Sequence, residues 1–148
     1  MFESDWYRQE EGTSYCKVVQ APQFVAFQAM ASFTGATTAD EWRLWRTNTA
    51  VAQSAAIVNN LSTLSTAIVY SPSSNGGYTF AGAIKADDAI CAANGTLSLA
   101  DTSGQVPTLS SLRIGARSNN AFYWNGHISR LTYWPTRLPN ETLQTITQ

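Results

Sequence analysis

Charge is what this chain has least of. Only 13% of its 148 residues are Asp, Glu, Lys or Arg, against roughly 25% in an average soluble protein. The formal net charge is −1. Binding to nucleic acid needs a basic patch that neutralises phosphates, so this balance argues against it. It argues equally against attraction to an anionic membrane surface. Histidine is scarcer still, with His127 alone. Nucleophilic catalysis needs a base beside a Ser or Cys; His127 follows directly on Asn125-Gly126 and reads as a surface histidine, and no Gly-x-Ser-x-Gly is present. The two cysteines, Cys16 and Cys91, sit inside strand-like runs and read as free, buried thiols that behave as small hydrophobes. They therefore do not place the redox compartment. No run approaches the ~20 apolar residues of a membrane span, so no membrane insertion is expected. The opening Met1-Phe2-Glu3-Ser4-Asp5 has neither the basic nor the apolar region of a signal peptide.

Apolar residues are plentiful, at 44%. A chain of this length can bury a core without staples, and its length suits one domain, residues 1–148. The pattern is one of short apolar or alternating runs. Thr13 to Val19 follows Gly12. Phe24 to Phe33 is too aromatic and β-rich to prefer helix. Glu41 to Arg46 carries aromatics on both strand faces. Ala55 to Val58, Ala67 to Tyr70 and Tyr78 to Lys85 follow, separated by Asn59-Asn60 and by Ser71 to Gly77. Strands spaced by such turn signals predict an all-β sandwich or barrel. Two hairpins are predicted from Asn-Gly pairs between strand-like arms, at Asn94-Gly95 and at Asn125-Gly126, because a type I′ turn needs positive φ at both central residues. Beyond the second, Ile128, Leu131 and Tyr133 break strict alternation, which predicts a bulge. A short helix is predicted from Leu138 to Ile146, with Asn140 as N-cap, Glu141 in the first turn, and Leu143 and Ile146 facing the sandwich.

Glycoside hydrolysis needs two carboxylates opposed across a cleft, ~5–9.5 Å apart. The acidic pairs Glu10-Glu11, Asp40-Glu41 and Asp87-Asp88 are adjacent in sequence, so their members point to opposite faces of a strand, and each lies in or beside a turn. Glu3 and Asp5 have the right spacing but sit at the terminus. No enzymatic activity is expected. Calcium wants six to eight oxygens. Asp87, Asp88 and Asp101 are the available loop carboxylates, yet no Asp-x-Asp-x-Asp loop exists, so no metal and no cofactor are expected.

Aromatics carry the functional signal, with five Trp and six Tyr. Sugar faces stack on aromatic rings while neighbouring polar groups bind hydroxyls. A sandwich core also uses large aromatics, and roughly half of them should be buried. Trp42 and Trp45 differ in strand parity, so at least one should leave the core. In Phe122-Tyr123-Trp124, Tyr123 faces opposite its neighbours. The predicted ligand-binding set is therefore Tyr123, Trp124, Trp42 and Trp45, with Arg117, Asn119 and Asn120 as polar partners. Tyr123 or Trp124 should be exposed beside those three.

From Arg113-Ile114-Gly115 onward the chain resembles the laminin-G-like, concanavalin-A-type domains of bacteriophage virion and tail proteins. The matching features are Arg113-Ile114-Gly115, Trp124-Asn125-Gly126-His127-Ile128, Tyr133-Trp134-Pro135 and the helix Leu138 to Thr147. The opening, Trp6-Tyr7 followed by Glu11-Gly12-Thr13, is similar to that of the family, and Lys85-Ala86-Asp87-Asp88, the Asn94-Gly95 hairpin and Asp101-Thr102-Ser103-Gly104 agree in outline. The resemblance implies an antiparallel two-sheet jelly-roll sandwich with a short C-terminal helix. It further implies a non-catalytic adhesion module of a phage or prophage virion, exposed to the extracellular medium and binding a glycan of a bacterial surface. The alternative it leaves open is a structural module that decorates the virion and contacts only other virion proteins. Tail proteins are often trimers, so a homo-oligomer is a class-level expectation.

Overall fold

In a computed structural model of the protein, residues 7–20, 27–37, 39–46, 51–58, 63–70, 77–117 and 119–148 are described, with the backbone alone at 20, 51–58, 63–70 and 78. The expected turns Asn59-Asn60 and Ser71 to Gly76, the carboxylates Glu3 and Asp5, and Trp6 lie outside the described residues. Strands β1 (Glu11–Gln20), β2 (Gln28–Thr34), β3 (Glu41–Arg46), β4 (Val51–Val58) and β5 (Thr63–Tyr70) are followed by β6 (Gly77–Lys85), β7 (Asp88–Ala93), β8 (Thr96–Leu97), β9 (Ser111–Ile114) and β10 (Gly126–Trp134). Helix α1 (Asn140–Ile146) follows.

The strands form two antiparallel five-stranded sheets. Sheet A has the order β10-β1-β6-β7-β8 and sheet B the order β5-β4-β3-β2-β9. Alternation assigns the faces. On β1, Cys16 and Val18 point inward to meet Met30 and Leu44 of sheet B. Beside them Phe33, Trp42, Ile84 and Leu109 pack with Tyr133. Both cysteines are buried in this core and neither is in a disulfide, and burial holds the Cys16 thiol well above its ordinary pKa. Gly12 is required where it stands, because a Cβ there would lie 2.8 Å from Tyr133 Cε2.

A second apolar layer lies outside sheet A. Tyr15, Ala81, Ala83, Ile90 and Ala92 pack there against Leu143, with Trp134, Leu138 and Ile146 half-buried around them. Helix α1 therefore sits on the outer face of sheet A, held by Leu143, which is 0% exposed. Seven residues are too few to hold a helix by propensity, so packing supplies the stability. The predicted cap is corrected: Pro139 precedes the helix, Asn140 is its first residue, and no side chain caps it. Pro139 has its own φ preset at −57° by its ring as the chain enters the helix.

Of the two Asn-Gly pairs, one forms its turn. Asn94 (φ 47°) and Gly95 (φ 77°) join β7 to β8, with Ala93 paired to Thr96. The Phe122 to Ile128 hairpin does not form. Residues 121–125 are irregular and β10 begins at Gly126, which has φ 154° and pairs with Gln20 of β1. Long-range bonding overrides the local turn preference: Trp124 N–H donates to Gly115 O at 2.9 Å, and Phe122 O accepts from Ala29 N–H at 2.8 Å. The expected bulge is present. Lys17 pairs with Arg130 and Val18 with Ile128, which leaves Ser129 extra, its hydroxyl donating to Lys17 O.

Candidate functional site

The outer face of sheet B carries charge. On β3 the inward positions Trp42 and Leu44 fill the core, so Glu41, Arg43 and Trp45 share the opposite face. In register beside them on β2 stand Ser32, opposite Arg43, and Thr34, opposite Glu41. One strand further out, Arg113 of β9 is opposite Ser32. The segment after β9 then folds back over this face. It is anchored at the bulge in β2 between Ala29 and Ala31, where Ala29 N–H donates to Phe122 O and Met30 O accepts from Gly115 N–H. The segment closes on itself through Arg117 N–H to Ala121 O and Asn120 N–H to Arg117 O. This fold-back places Arg117 over β3.

Glu41 is the centre of the cluster and is 0% exposed. Its carboxylate meets Arg43 Nη1 at 2.9 Å and Arg117 Nε at 3.0 Å, and accepts from the Ser32 hydroxyl at 2.6 Å. Aromatic rings close the circuit. The Arg43 guanidinium lies 3.8 Å from the Trp45 ring centre, Trp45 stacks on Phe27 at 4.9 Å, Phe27 meets Phe122 edge-on, and Arg117 lies 5.7 Å from Phe122. Stacking on a ring suits a guanidinium, whose planar edge stays available for hydrogen bonds. At the rim, Arg113 donates to Asn120 Oδ1 at 2.5 Å.

Burying a charge is costly unless it is paired. Here one carboxylate faces two guanidiniums, and Arg113 adds a third at the rim, so the cluster is net positive in a chain of net charge −1. Burial pulls the Arg43 guanidinium below its ordinary pKa; Glu41 opposes that and Arg117 adds to it. Arg43 stays charged, since arginine does not deprotonate in proteins. Its side chain is 10% exposed, and among the described residues its buried Nε–H finds no hydrogen-bond partner, nor does the buried Trp45 indole N–H. The arrangement thus holds guanidinium and indole donors in place beneath an aromatic ledge. Geometrically this suits a planar oxyanion such as a carboxylate. Glu41 itself is spoken for on both oxygens, which makes it a positioning group and unsuits it to proton transfer.

The structure sorts the expected ligand residues. Trp45, Arg117 and Asn120 come together in this cluster. Tyr123 is 61% exposed, but it is Phe122 whose ring lies against Arg117. Asn119 is exposed beside Asn120. Two assignments are corrected. Trp42 is 1% exposed and stacks on Phe33 in the core, because β3 turns its even positions inward. Trp124 is 9% exposed and packs with Cys16, Val18 and Leu44, because the chain at 121–125 carries it under the sandwich edge. Glu41, Arg43, Arg113 and Ser32 were missed. The signal was Glu41-x-Arg43, two charges at strand spacing on the face opposite Trp42 and Leu44. Pairing Glu41 with its neighbour Asp40 as a turn carboxylate obscured it. Two of the three loop carboxylates considered for calcium have partners within the chain. Asp88 pairs with Arg137 at 2.8 Å, Asp101 accepts from Ser103, and Asp87 is exposed in the β6–β7 turn. Among the described residues no three His, Cys, Asp or Glu side chains converge.

No family model and no curated protein matches the chain. Solved structures do. A Ruminococcus gnavus IT-sialidase CBM40 bound to α2,3 sialyllactose superposes with a TM-score of 0.79 at 17% identity, over 95% of this chain and 83% of that one. A leech intramolecular trans-sialidase in complex with 2,7-anhydro-Neu5Ac gives 0.78 at 15% identity, over 95% of this chain but only 23% of that one. A heptameric SAP-like pentraxin from Limulus polyphemus gives 0.67 at 15% identity, over 94% of this chain and 70% of that one. The fold is a concanavalin A-like jelly-roll sandwich with a short C-terminal helix.

Proposed function

We propose that this domain is a non-catalytic carbohydrate-binding module whose sheet B face takes an acidic sugar. The observation that carries the reading is the buried Glu41 holding Arg43 and Arg117 in place, with the Arg43 Nε–H and the Trp45 indole N–H left without partners among the described residues. The sugar carboxylate docks on Arg43, with Arg117 and Arg113 beside it, and its ring lies toward Trp45 and Phe27. The module of Ruminococcus gnavus, whose structure holds sialyllactose, supports the choice of a sialic-acid-like sugar as first ligand to try. The surrounding protein we propose is a phage or prophage virion protein displaying the module to a bacterial surface glycan; that part rests on the resemblance of the closing block alone. A purely protein-contacting module has less behind it. Among the described residues the exposed large apolar side chains are Val19, Phe27, Leu99, Ile114 and Tyr123, and scattered side chains of this kind are normal on any surface.

Calorimetric titration with 3′-sialyllactose and with lactose tests the proposal. Sialyllactose should bind and lactose should not, with affinity falling as salt rises because the contact is charge-assisted. Arg43→Ala should remove the part of the heat that comes from the sheet B face. Equal binding of the two sugars, or none of either and of a panel of acidic bacterial glycans, would sink it.

A further inference from the structure

The opposite side of the molecule holds a second arrangement that the sheet B site does not use. Outside sheet A, β1 and β10 present Tyr15, Lys17 and Arg130 on the face that also bears α1. Two cavities open there. One, of about 190 Å³, is lined by Tyr15, Arg130, Trp134 and Ile146. The other, of about 250 Å³, is lined by Lys17, Gly77, Thr79, Asn94 and Gln148. Both are smaller than the ~300 Å³ of a small drug site, so each suits a single ring or charged group.

The two cavities are linked by a pair of cations. Lys17 and Arg130 are direct cross-strand partners, on the same face, and both are exposed. Like charges placed directly opposite destabilise a sheet. Neither forms an ion pair with a described residue, and neither cavity has a carboxylate side chain in its lining. The aromatic component is also present. Trp134 meets Tyr15 edge-on at 6.4 Å, and the Arg130 guanidinium lies 5.7 Å from the Tyr15 ring centre. Thr79 and Asn94 supply hydroxyl and amide groups at the other end.

We propose that this groove is a second binding site, independent of the sheet B cluster, for an oxyanion-bearing saccharide. The anion sits between Lys17 and Arg130 and relieves their repulsion, while the sugar ring packs against Trp134. Carboxylated and sulfated sugars share this chemistry. The two sites would lie on opposite outer faces of one sandwich, so a single domain could engage two chains or two points of a branched glycan.

Nitrogen-edited NMR of the full chain separates the possibilities, with glucuronic acid, a sulfated heparin-derived disaccharide and lactose as probes. At least one of the two acidic probes should shift the Trp134 indole and the amides of Tyr15, Lys17 and Arg130, and lactose should not. Shifts with glucuronic acid only would assign a carboxylate, and shifts with the sulfated sugar only a sulfate. Lys17→Glu turns the like pair into an opposite pair. It should raise the melting temperature by about 1–2 °C without ligand and weaken the acidic probe at least tenfold. Arg130→Gln should weaken binding similarly, and Arg43→Ala should leave these shifts unchanged. Absence of shifts with both acidic probes, equal shifts with lactose, or full binding by Lys17→Glu and Arg130→Gln would overturn the second site. None of those results bears on Arg43.

Discussion

The two outer faces of this sandwich solve the same problem in opposite ways. Sheet A covers its outer face with α1, whose Leu143 is buried among Tyr15, Ala81 and Ile90. Under α1 that cover is apolar. Over β3, sheet B is covered by residues 115–117 and 119–125, and beneath them lies a carboxylate clamped between guanidiniums. Burying apolar area stabilises a fold directly, at roughly 25 cal/mol per Å². A buried ion cluster only recovers its desolvation cost, and replacing such clusters by apolar residues often stabilises a protein. The charged cover is therefore hard to explain as a device for stability. It makes sense as a surface kept for a ligand.

Mutations on the two faces should separate these roles. Glu41→Ala leaves Arg43 and Arg117 buried without their counter-charge, and should cost about 3–5 kcal/mol of unfolding free energy. Chemical denaturation measures it. A loss under 1 kcal/mol would mean that water already reaches the cluster and that its burial has been overstated. The apolar face should respond without touching function. Leu143→Ala should cost about 2–5 kcal/mol, while sialyllactose titration at a temperature where the variant is folded should match the parent. If affinity fell with Leu143, the two faces would not be independent.

A smaller effect is expected at the turns, where the sequence was readable at one site and misleading at the other. Asn94-Gly95 behaves as its local chemistry dictates, because β8 is an edge strand that pairs with β7 alone. Asn125-Gly126 does not, because the preceding residues are captured by Ala29, Gly115 and the core cavity that receives Trp124. Gly95→Ala should cost about 1–2 kcal/mol for its positive φ, and more if Gln148 cannot move, since the added Cβ would lie 2.9 Å from Gln148 Cγ. Asn125→Ala should stay within about 0.5 kcal/mol, the usual range for an exposed position. Equal costs at both would restore the second hairpin.

The same division governs how much of the site was legible. Strand parity read Tyr123 as facing opposite Phe122 and Trp124, since parity is local. It also showed that Trp42 and Trp45 must differ, without saying which was buried; only the partner sheet decides that. Arg117 reaches Glu41 across 76 residues of sequence. No spacing rule encodes that contact, which depends on a bulge in β2 and the path of a loop. The fold class was legible because alternation and turn chemistry recur along the chain and each strand need only agree with its neighbours.

The weakest expected effect is on pH dependence. Burial raises the pKa of Tyr7 and of Tyr133 above the ordinary phenol value, each tyrosine also meeting charge at the other's ring or at Glu11. In the unfolded chain these phenols ionise near ~10. Above that pH the unfolded state binds fewer protons than the native state, so stability falls as pH rises. It should be fully present below pH ~10 and decline beyond it, and Tyr133→Phe should flatten the decline. An unchanged alkaline slope in that variant would place the ionising group elsewhere.

The account turns on Arg43. Its Nε–H is buried, without a partner among the described residues, and near the Arg117 guanidinium that Glu41 also holds. In a nitrogen-edited NMR titration, the Arg43 Nε–H signal should move downfield and gain protection from exchange as 3′-sialyllactose is added, with lactose leaving it in place. If sialyllactose binds and that signal does not move, the ligand sits elsewhere and the sheet B face is not the site.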